Sequence, residues 1–264
     1  MLGSPPVPTG AGDQRATVRR LHGVAEFEDA VRVLCQVWNA DTALDLVNSS
    51  VMVALDMSDN YVAGVFLGNE MVGAAVGWRG AGGRVHSHIA GIHPKHQGTG
   101  LGYRLKMHEK DWALSRDLTV VEWTFDPLVR RNAHFNLAKL NTRALAYHAD
   151  LYGSLEDGVN DHDVTDRLLV EWDLRADETP ALSKDYGASD TESWDFDAQP
   201  DATIIHGEDR LVVTPRDIES MRLHDAPRAA RWRHAVRRGL ESALGDGYVI
   251  TGFSEDGCYV LQRP

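Results

Sequence analysis

The chain has 264 residues, of which 43% are hydrophobic and 25% charged. Against a typical domain of about 150 residues, this length predicts one large domain or one domain with an addition. The proportions exclude a disordered, collagen-like or disulfide-scaffold protein. The 27 basic residues against 39 acidic ones give a net charge of −12, which argues against nucleic acid or an anionic membrane as a partner.

The cysteine content and the absence of long apolar runs indicate in which cellular compartment the protein is found. The two cysteines, Cys35 and Cys258, lie far apart in apolar sequence, which predicts buried free thiols in a reducing environment. Residues 1–15 are rich in Gly and Pro, are predicted to be flexible, and lack the apolar stretch of a signal peptide. No run approaches the ~18 apolar residues that cross a bilayer. We therefore expect a cytoplasmic protein.

Helical and strand periodicities alternate over residues 16–174. Four apolar side chains share one face of a first helix: Phe27, Val31, Leu34 and Trp38. Further helices are predicted at residues 44–57, 100–115 and 132–140. Strands are predicted at residues 17–21, 61–67, 71–78, 85–92, 119–125, 144–147 and 166–174, the second and third forming a hairpin at Gly68-Asn69. The predicted order is β-α-α-β-β-β-α-β-α-β-β.

The remaining sequence differs in character. Residues 175–202 are strongly acidic and are predicted to be a solvated connector. Residues 203–264 contain a strand pair, a helix at residues 227–244 and a terminal hairpin. Because about 60 residues make a thin core, we expect this α+β appendage to pack on the domain of residues 16–174.

A glycine-rich loop lies between the strand at residues 85–92 and the helix at residues 100–115. It contains Gln97-x-x-Gly100-x-Gly102, preceded by Gly98 and Thr99. Free N–H groups at a helix start bind anions, and glycine lets a phosphate approach the backbone. The spacing is neither the G-x-G-x-x-G of dinucleotide folds nor a P-loop. A tight turn without a ligand is the alternative explanation.

This loop resembles the one with which the GNAT superfamily of N-acetyltransferases holds the pyrophosphate of coenzyme A. A branch of that superfamily with a C-terminal extension also has similar segments, at residues 123–127, 166–167 and 171–172. The resemblance implies an α/β (α+β) fold with a mixed, mostly antiparallel sheet, a splayed parallel strand pair and flanking helices.

The resemblance also implies a set of CoA contacts. Gln97 would fix the loop, and the backbone of Gly98, Thr99, Gly100 and Gly102 would line the pyrophosphate. Three further positions would serve the pantetheine arm: Ala90, Ile92 and Asn132. An N-terminal capping role is the alternative for Asn132.

Acyl transfer to an amine needs a base, because an alkyl amine has a pKa of about 10. Alternation along residues 120–126 places Glu122, Thr124 and Asp126 on one strand face. Glu122 and Asp126 are then about 13 Å apart and cannot share a proton. Asp126 is instead expected to orient the loop before Asn132. Glu122 ranks first as the base, with a structural partnership to an Arg as the alternative. His88, which shares a face with His86, is a second candidate proton carrier, with hydrogen bonding on the sheet face as the alternative for both.

The family's general acid is a Tyr, and Leu137 stands at the matching position here. Tyr147 is our candidate substitute and Tyr152 an alternative, although either could be a core or rim tyrosine. No metal is expected, because the two histidines lack further ligands at suitable spacing. Arg233 and Arg237 are either solvated helix charges or a clamp for a carboxylate or a CoA phosphate.

The sequence thus predicts an acyl-CoA-dependent N-acyltransferase that uses acetyl-CoA and a primary amine of a small molecule or amino acid. Succinyl-CoA or another larger acyl-CoA is the alternative donor. A non-catalytic acyl-CoA sensor is the alternative function, because Leu137 stands in the usual acid's place. A homodimer is possible, and neither nucleic acid nor a membrane is expected as a partner.

Overall fold

The structure, a computed structural model, describes residues 16–43, 46–153, 163–176, 197 and 201–264. The flexible N-terminus predicted at residues 1–15 lies outside these ranges, as does most of the connector predicted at residues 175–202. The described residues form two sheets flanked by helices. None of the described helices is long and apolar enough to cross a membrane.

The first sheet has seven strands in the order β1-β2-β3-β4-β5-β7-β6. Only β4 and β5 run parallel; every other neighbouring pair is antiparallel. The predicted mixed, mostly antiparallel fold is therefore confirmed. The elements in chain order are β1 (Ala16–Arg20), α1 (Val24–Trp38), α2 (Ser49–Met57), β2 (Tyr61–Leu67), β3 (Glu70–Arg79), β4 (Arg84–Ile92), α3 (Leu101–Leu114), β5 (Val120–Phe125), α4 (Arg130–Ala133), β6 (Arg143–His148) and β7 (Arg167–Asp173).

Helices cover both faces of this sheet because successive strand residues point to opposite sides. Val62 on β2 packs with Phe27 and Leu34 of α1 on one face. Tyr61 packs with Leu105 of α3 on the other. The spacing of apolar residues in α1 and α3 thus gives each helix a buried side against the sheet.

The pairing of β4 with β5 is short. The two strands are in register only from Arg84 opposite Val120 to His86 opposite Glu122. Beyond this point β4 continues beside β3 to Ile92, and β5 continues beside β7 to Phe125. The strands therefore separate and form an opening, which we call the fork.

The C-terminal segment, residues 201–264, forms the second sheet, in the order β10-β11-β9-β8. Helix α5 was not predicted from sequence. It is short and depends on the Asp217 side chain, which accepts a hydrogen bond from Ser220 N, and on burial of Ile218 and Arg222. The elements are β8 (Thr203–His206), β9 (Asp209–Val213), α5 (Ile218–His224), α6 (Ala226–Gly245), β10 (Val249–Phe253) and β11 (Cys258–Gln262).

One hydrophobic core joins this segment to the first sheet, with Trp232 and Tyr259 in the same cluster as Leu128 and Leu168. The solvated-charge alternative is wrong for Arg233, which is 1% exposed and donates to the Asp126 carboxylate at 2.8 and 2.9 Å. The domain boundaries at residues 174 and 203 stay a prediction.

Candidate active site

The fork opens towards the glycine-rich loop. The edge of β4 that faces β5 has no strand partner from Ser87 to Ile92, so the main chain at Ala90 and Ile92 is accessible from the opening. Ala90 is exposed, and Ile92 is 8% exposed. The structure therefore brings these two predicted pantetheine positions to the wall of the fork.

The loop that follows β4 is held by its own side chains. Gln97 Nε2 donates to Ile92 O at 3.1 Å, and Thr99 Oγ1 donates to His96 O at 2.6 Å. Gly98 and Gly100 have φ values of 75° and 84°, which favour glycine. A Cβ at either position would meet no atom within 4 Å. These glycines therefore adopt a left-handed turn and leave the space above the backbone open.

Helix α3 begins directly after this loop without a capping side chain. Its N-cap is Gly100, no side chain among the described residues caps the helix by a hydrogen bond, and its first turn contains no acidic residue. The N–H groups of the first turn lack intrahelical partners, and the helix dipole is positive there. The helix start therefore suits an anion such as a phosphate.

A polar surface lies on the sheet face opposite α3, across β4, β5, β7 and β6. Glu122 is the neighbour of His86 on one side and of Glu171 on the other. Arg84 forms an ion pair with Glu171 and lies 3.6 Å from the Glu122 carboxylate. Hydrogen bonds from Arg143 and Arg84 lower the pKa of Glu171. Arg84 is thus engaged mainly with Glu171, and Glu122, the last residue of β5 that pairs with β4, has a looser ion pair with Arg84.

Two histidines on β4 pack against one tryptophan of β3 with tilted rings. The Trp78 ring centroid is 4.9 Å from that of His86 and 4.8 Å from that of His88. His88 occupies a bulge, because the register with β3 shifts between Ser87 and Ile89. Desolvation lowers the pKa of both histidines. Both imidazoles are therefore uncharged at neutral pH, as an acceptor of a proton must be.

The tyrosine predicted as the acid, Tyr147, lies on the opposite face of the sheet from Glu122. It pairs across strands with Leu168, so its side chain lies on the α3 side of the sheet with the core. Its hydroxyl donates to Asp166, and burial together with this bond raises its pKa. Leu137, at the family's Tyr position, is 2% exposed.

Tyr152 is better placed relative to the fork. Its hydroxyl oxygen lies 2.9 Å from Thr124 Oγ1, and Thr124 shares the polar face of β5 with Glu122. The Tyr152 side chain is 43% exposed. The structure therefore joins Tyr152, the alternative from sequence, to the strand that carries the proposed base.

Asn132 does not cap helix α4, whereas Asp126 orients the turn before Asn132, as the sequence predicts. Helix α4 begins at Arg130 after its N-cap Val129, so the capping alternative for Asn132 is wrong. Asp126 Oδ1 accepts a hydrogen bond from Leu128 N at 2.9 Å, which shapes the turn before Asn132. The helix continues as a π-helix, His134–Lys139, a form that is often found at functional sites.

Among the described residues, no group of three or more His, Cys, Asp or Glu is arranged to hold a metal ion. Sequence reasoning also missed a buried ion pair beside the fork, between Lys106 and Glu109 of α3. In the sequence this ion pair is visible as two opposite charges three residues apart on an amphipathic helix. The neighbouring apolar residues, Leu105 and Trp112, are buried.

Comparison with known proteins agrees with this geometry. A family model described as the acetyltransferase (GNAT) family matches residues 32–140. The matched stretch includes the fork, the glycine-rich loop and helix α3. The chain contains a GNAT acetyltransferase domain. The prediction of a GNAT-type acyltransferase is confirmed at this level.

Solved structures of acetyltransferases align with the chain. An N-acetyltransferase from Staphylococcus aureus Mu50 aligns with a TM-score of 0.50 at 11% identity, covering 61% of this chain and 99% of its own. The ribosomal-protein-S18-alanine N-acetyltransferase of Escherichia coli aligns with a TM-score of 0.48 at 13% identity, covering 62% and 97%. The yncA protein of Salmonella typhimurium, solved with its cofactor acetyl-CoA, aligns with a TM-score of 0.46 at 20% identity, covering 62% and 97%. None of the curated proteins matches the chain in sequence.

Proposed function

We propose that the protein transfers an acyl group, with acetyl first in rank, from a CoA thioester to the primary amine of a small molecule or amino acid. The observation that carries this proposal is the uncapped start of α3 at Gly100, beside the fork. A diphosphate at the helix start and a pantetheine arm along Ala90 and Ile92 would place the thioester in the opening between β4 and β5. A larger acyl group, such as succinyl, is the alternative donor group.

In this proposal the amine approaches from the polar face. Glu122 removes its proton, directly or through a water, and His88 is a second carrier of that proton. The nitrogen then attacks the thioester carbonyl, the C–N bond forms, and the C–S bond breaks to release CoA thiolate, while the nitrogen loses its second proton to solvent to become the amide. The developing oxyanion is met by a backbone N–H of β4.

The thiolate must regain a proton. Tyr147, the first candidate for this acid, has its hydroxyl directed at Asp166, so we now favour Tyr152, whose hydroxyl reaches Thr124 on the polar face. Asn132 contributes to the pantetheine wall from the first turn of α4. These roles belong to the proposal and depend on the same thioester position.

The first test is CoA binding by Gly100→Glu. A carboxylate at the helix start should repel the diphosphate, and we expect the Kd for CoA to rise about tenfold or more. Gly207→Glu is the matched control, because Gly207 also has a positive φ of 63° with no atom within 4 Å of a Cβ, but lies in the β8–β9 turn. Equal affinities of both variants and the wild type would count against the loop as the site.

The second part of the test separates an enzyme from a sensor. Thiol release from acetyl-CoA and succinyl-CoA is followed across a panel of amines and amino acids. An enzyme releases thiol with at least one acceptor, and Glu122→Gln should then keep CoA affinity and lose most of the rate. CoA binding by the wild type without thiol release on any amine would favour the sensor function.

A further inference from the structure

Helix α3 carries a buried ion pair on the side that faces the fork. Lys106 Nζ lies 2.8 Å from Glu109 Oε2, and the two side chains are 7% and 1% exposed. Glu109 Oε1 has no hydrogen-bond partner among the described residues. A buried pair with an unsatisfied oxygen is not expected to stabilise the fold relative to apolar side chains of the same volume. The pair therefore calls for another explanation.

Lys106 contacts both strands of the fork at the point where they separate. Its ammonium donates to Ser87 Oγ at 2.8 Å and lies 4.0 Å from the centroid of the Trp123 ring. Ser87 and Trp123 each follow the last paired residues, His86 on β4 and Glu122 on β5. Both are buried, at 4% and 6% exposure. One cation thus bridges the first separated residue of each strand.

The neighbouring strand leaves room for the carboxylate of this pair. Gly77 on β3 lies opposite Ser87, and a Cβ on Gly77 would approach Glu109 Oε1 to 3.2 Å and His86 O to 2.9 Å. A side chain at position 77 would therefore displace Glu109 or β4. Glycine here lets Glu109 sit under the strand and anchor the Lys106 ammonium.

We infer that Lys106 is a positioning residue that sets the separation of β4 and β5, and with it the width of the gap for the acyl-pantetheine arm. The inference rests on the proposed function. A hydrogen bond to Ser87 and a cation–π contact with Trp123 are both distance-dependent and are strengthened in a site of low dielectric. Together they fix two side chains that belong to different strands.

The test is the double variant Lys106→Met/Glu109→Met, which removes both charges and leaves none buried alone. We expect its unfolding free energy to equal or exceed that of the wild type. We also expect its Kd for CoA and KM for acetyl-CoA to rise about tenfold or more, because the gap is no longer fixed. A double variant with wild-type stability, CoA affinity and KM would overturn the inference.

Matched variants separate the fork from a general effect of charge. Lys110→Met is the control, because Lys110 lies on the same helix over another tryptophan, Trp172, at 5.7 Å. We expect it to leave Kd and KM unchanged, whereas Ser87→Ala and Trp123→Phe should each reproduce part of the loss. An equal loss in Lys110→Met would contradict a specific role for Lys106.

Hydrogen exchange of the β4 and β5 amides distinguishes failure of this inference from failure of the proposed function. In the absence of ligand, the double variant should change the exchange rates of residues 87–92 and 123–125 at least about threefold relative to the wild type. Unchanged rates, with CoA still bound by the wild type, would reject the role of Lys106 alone. A wild type that binds no CoA would reject the proposed function.

Discussion

Individual histidines of this domain are kept uncharged by their surroundings. His108 on α3 is half-buried, and its Nδ1 lies 2.9 Å from the Tyr61 hydroxyl oxygen. Desolvation is the largest cause that lowers its pKa below 6.5; Asp111 and Glu109 raise it and Arg20 lowers it. His86 on β4 is also lowered mainly by desolvation, against the raising effect of Glu122. Because the pKa of each of these histidines differs between the folded and the unfolded chain, the free energy of unfolding depends on pH.

Stability should therefore fall as the solution is acidified through the ordinary His range. A lowered pKa means that the unfolded chain binds more protons than the folded one below pH 6.5, so the stabilisation is present above this pH and is lost below it. We expect His108→Gln, which cannot titrate, to reduce the slope of unfolding free energy between about pH 8 and about pH 5.5. Denaturant unfolding at several pH values measures this slope.

Tyr61→Phe is the control for that experiment. It removes the hydroxyl beside His108 but leaves the imidazole desolvated, and desolvation is the largest cause that lowers its pKa. The slope should then stay close to that of the wild type. An equal slope in His108→Gln and the wild type would mean that His108 does not contribute.

At the level of elements, helix α1 rests directly on the backbone of β4. A Cβ on Gly91 would lie 2.6 Å from Trp38 Cζ3 and 2.7 Å from Val37 Cγ1. Glycine at this position thus permits the end of α1 to approach the strand that carries the proposed pantetheine contacts. The close approach couples the packing of α1 to the position of Ala90 beside it.

Gly91→Ala should consequently separate α1 from β4. Overpacking of this kind destabilises by about 1–3 kcal/mol, measured as a lower unfolding free energy. Gly252→Ala on β10 is the matched control, since a Cβ there meets no atom within 4 Å and should change stability by less than about 0.5 kcal/mol. If Gly91→Ala and Gly252→Ala changed the free energy of unfolding equally, the close approach of α1 to Gly91 would not be the cause of destabilisation.

At the level of the whole molecule, the C-terminal segment holds the turn between β5 and α4. Arg222 and Arg233 form ion pairs with Asp126 at the end of β5. The Tyr259 hydroxyl donates to Pro127 O at 2.8 Å, and the Arg130 guanidinium donates to Thr214. Neighbouring arginines lower the pKa of Asp126 far below its usual value, despite its burial. The turn that leads to Asn132 thus depends on residues about a hundred positions away.

Arg233→Met should destabilise the whole chain by about 3–5 kcal/mol, because it leaves the carboxylates of Asp126 and Asp163 buried with fewer cations. Denaturant unfolding should show one transition at lower denaturant concentration. Arg238→Met, on the exposed face of the same helix, should change stability by less than about 0.5 kcal/mol. A loss confined to the C-terminal sheet, with the first sheet intact, would contradict this coupling.

The sequence by itself determined the order of elements through β7 and the place of the glycine-rich loop. Both are local properties, because strand and helix periods and the left-handed turns at Gly98 and Gly100 depend on residues that are near neighbours along the chain. The glycine-rich loop could therefore be recognised before any contact was known. The domain class followed from the resemblance of this loop and of the element order to the GNAT superfamily.

Only the tertiary structure decided which side chains meet. Asp126 was expected on a polar strand face and Arg233 on a helix, yet their ion pair needs the folded core that removes both from water. The same holds for the direction of Tyr147 towards Asp166, for Tyr152 beside Thr124 and for Lys106 between Ser87 and Trp123. Such contacts join residues distant in sequence, and no local period encodes them, because burial and partner choice arise only when the elements pack.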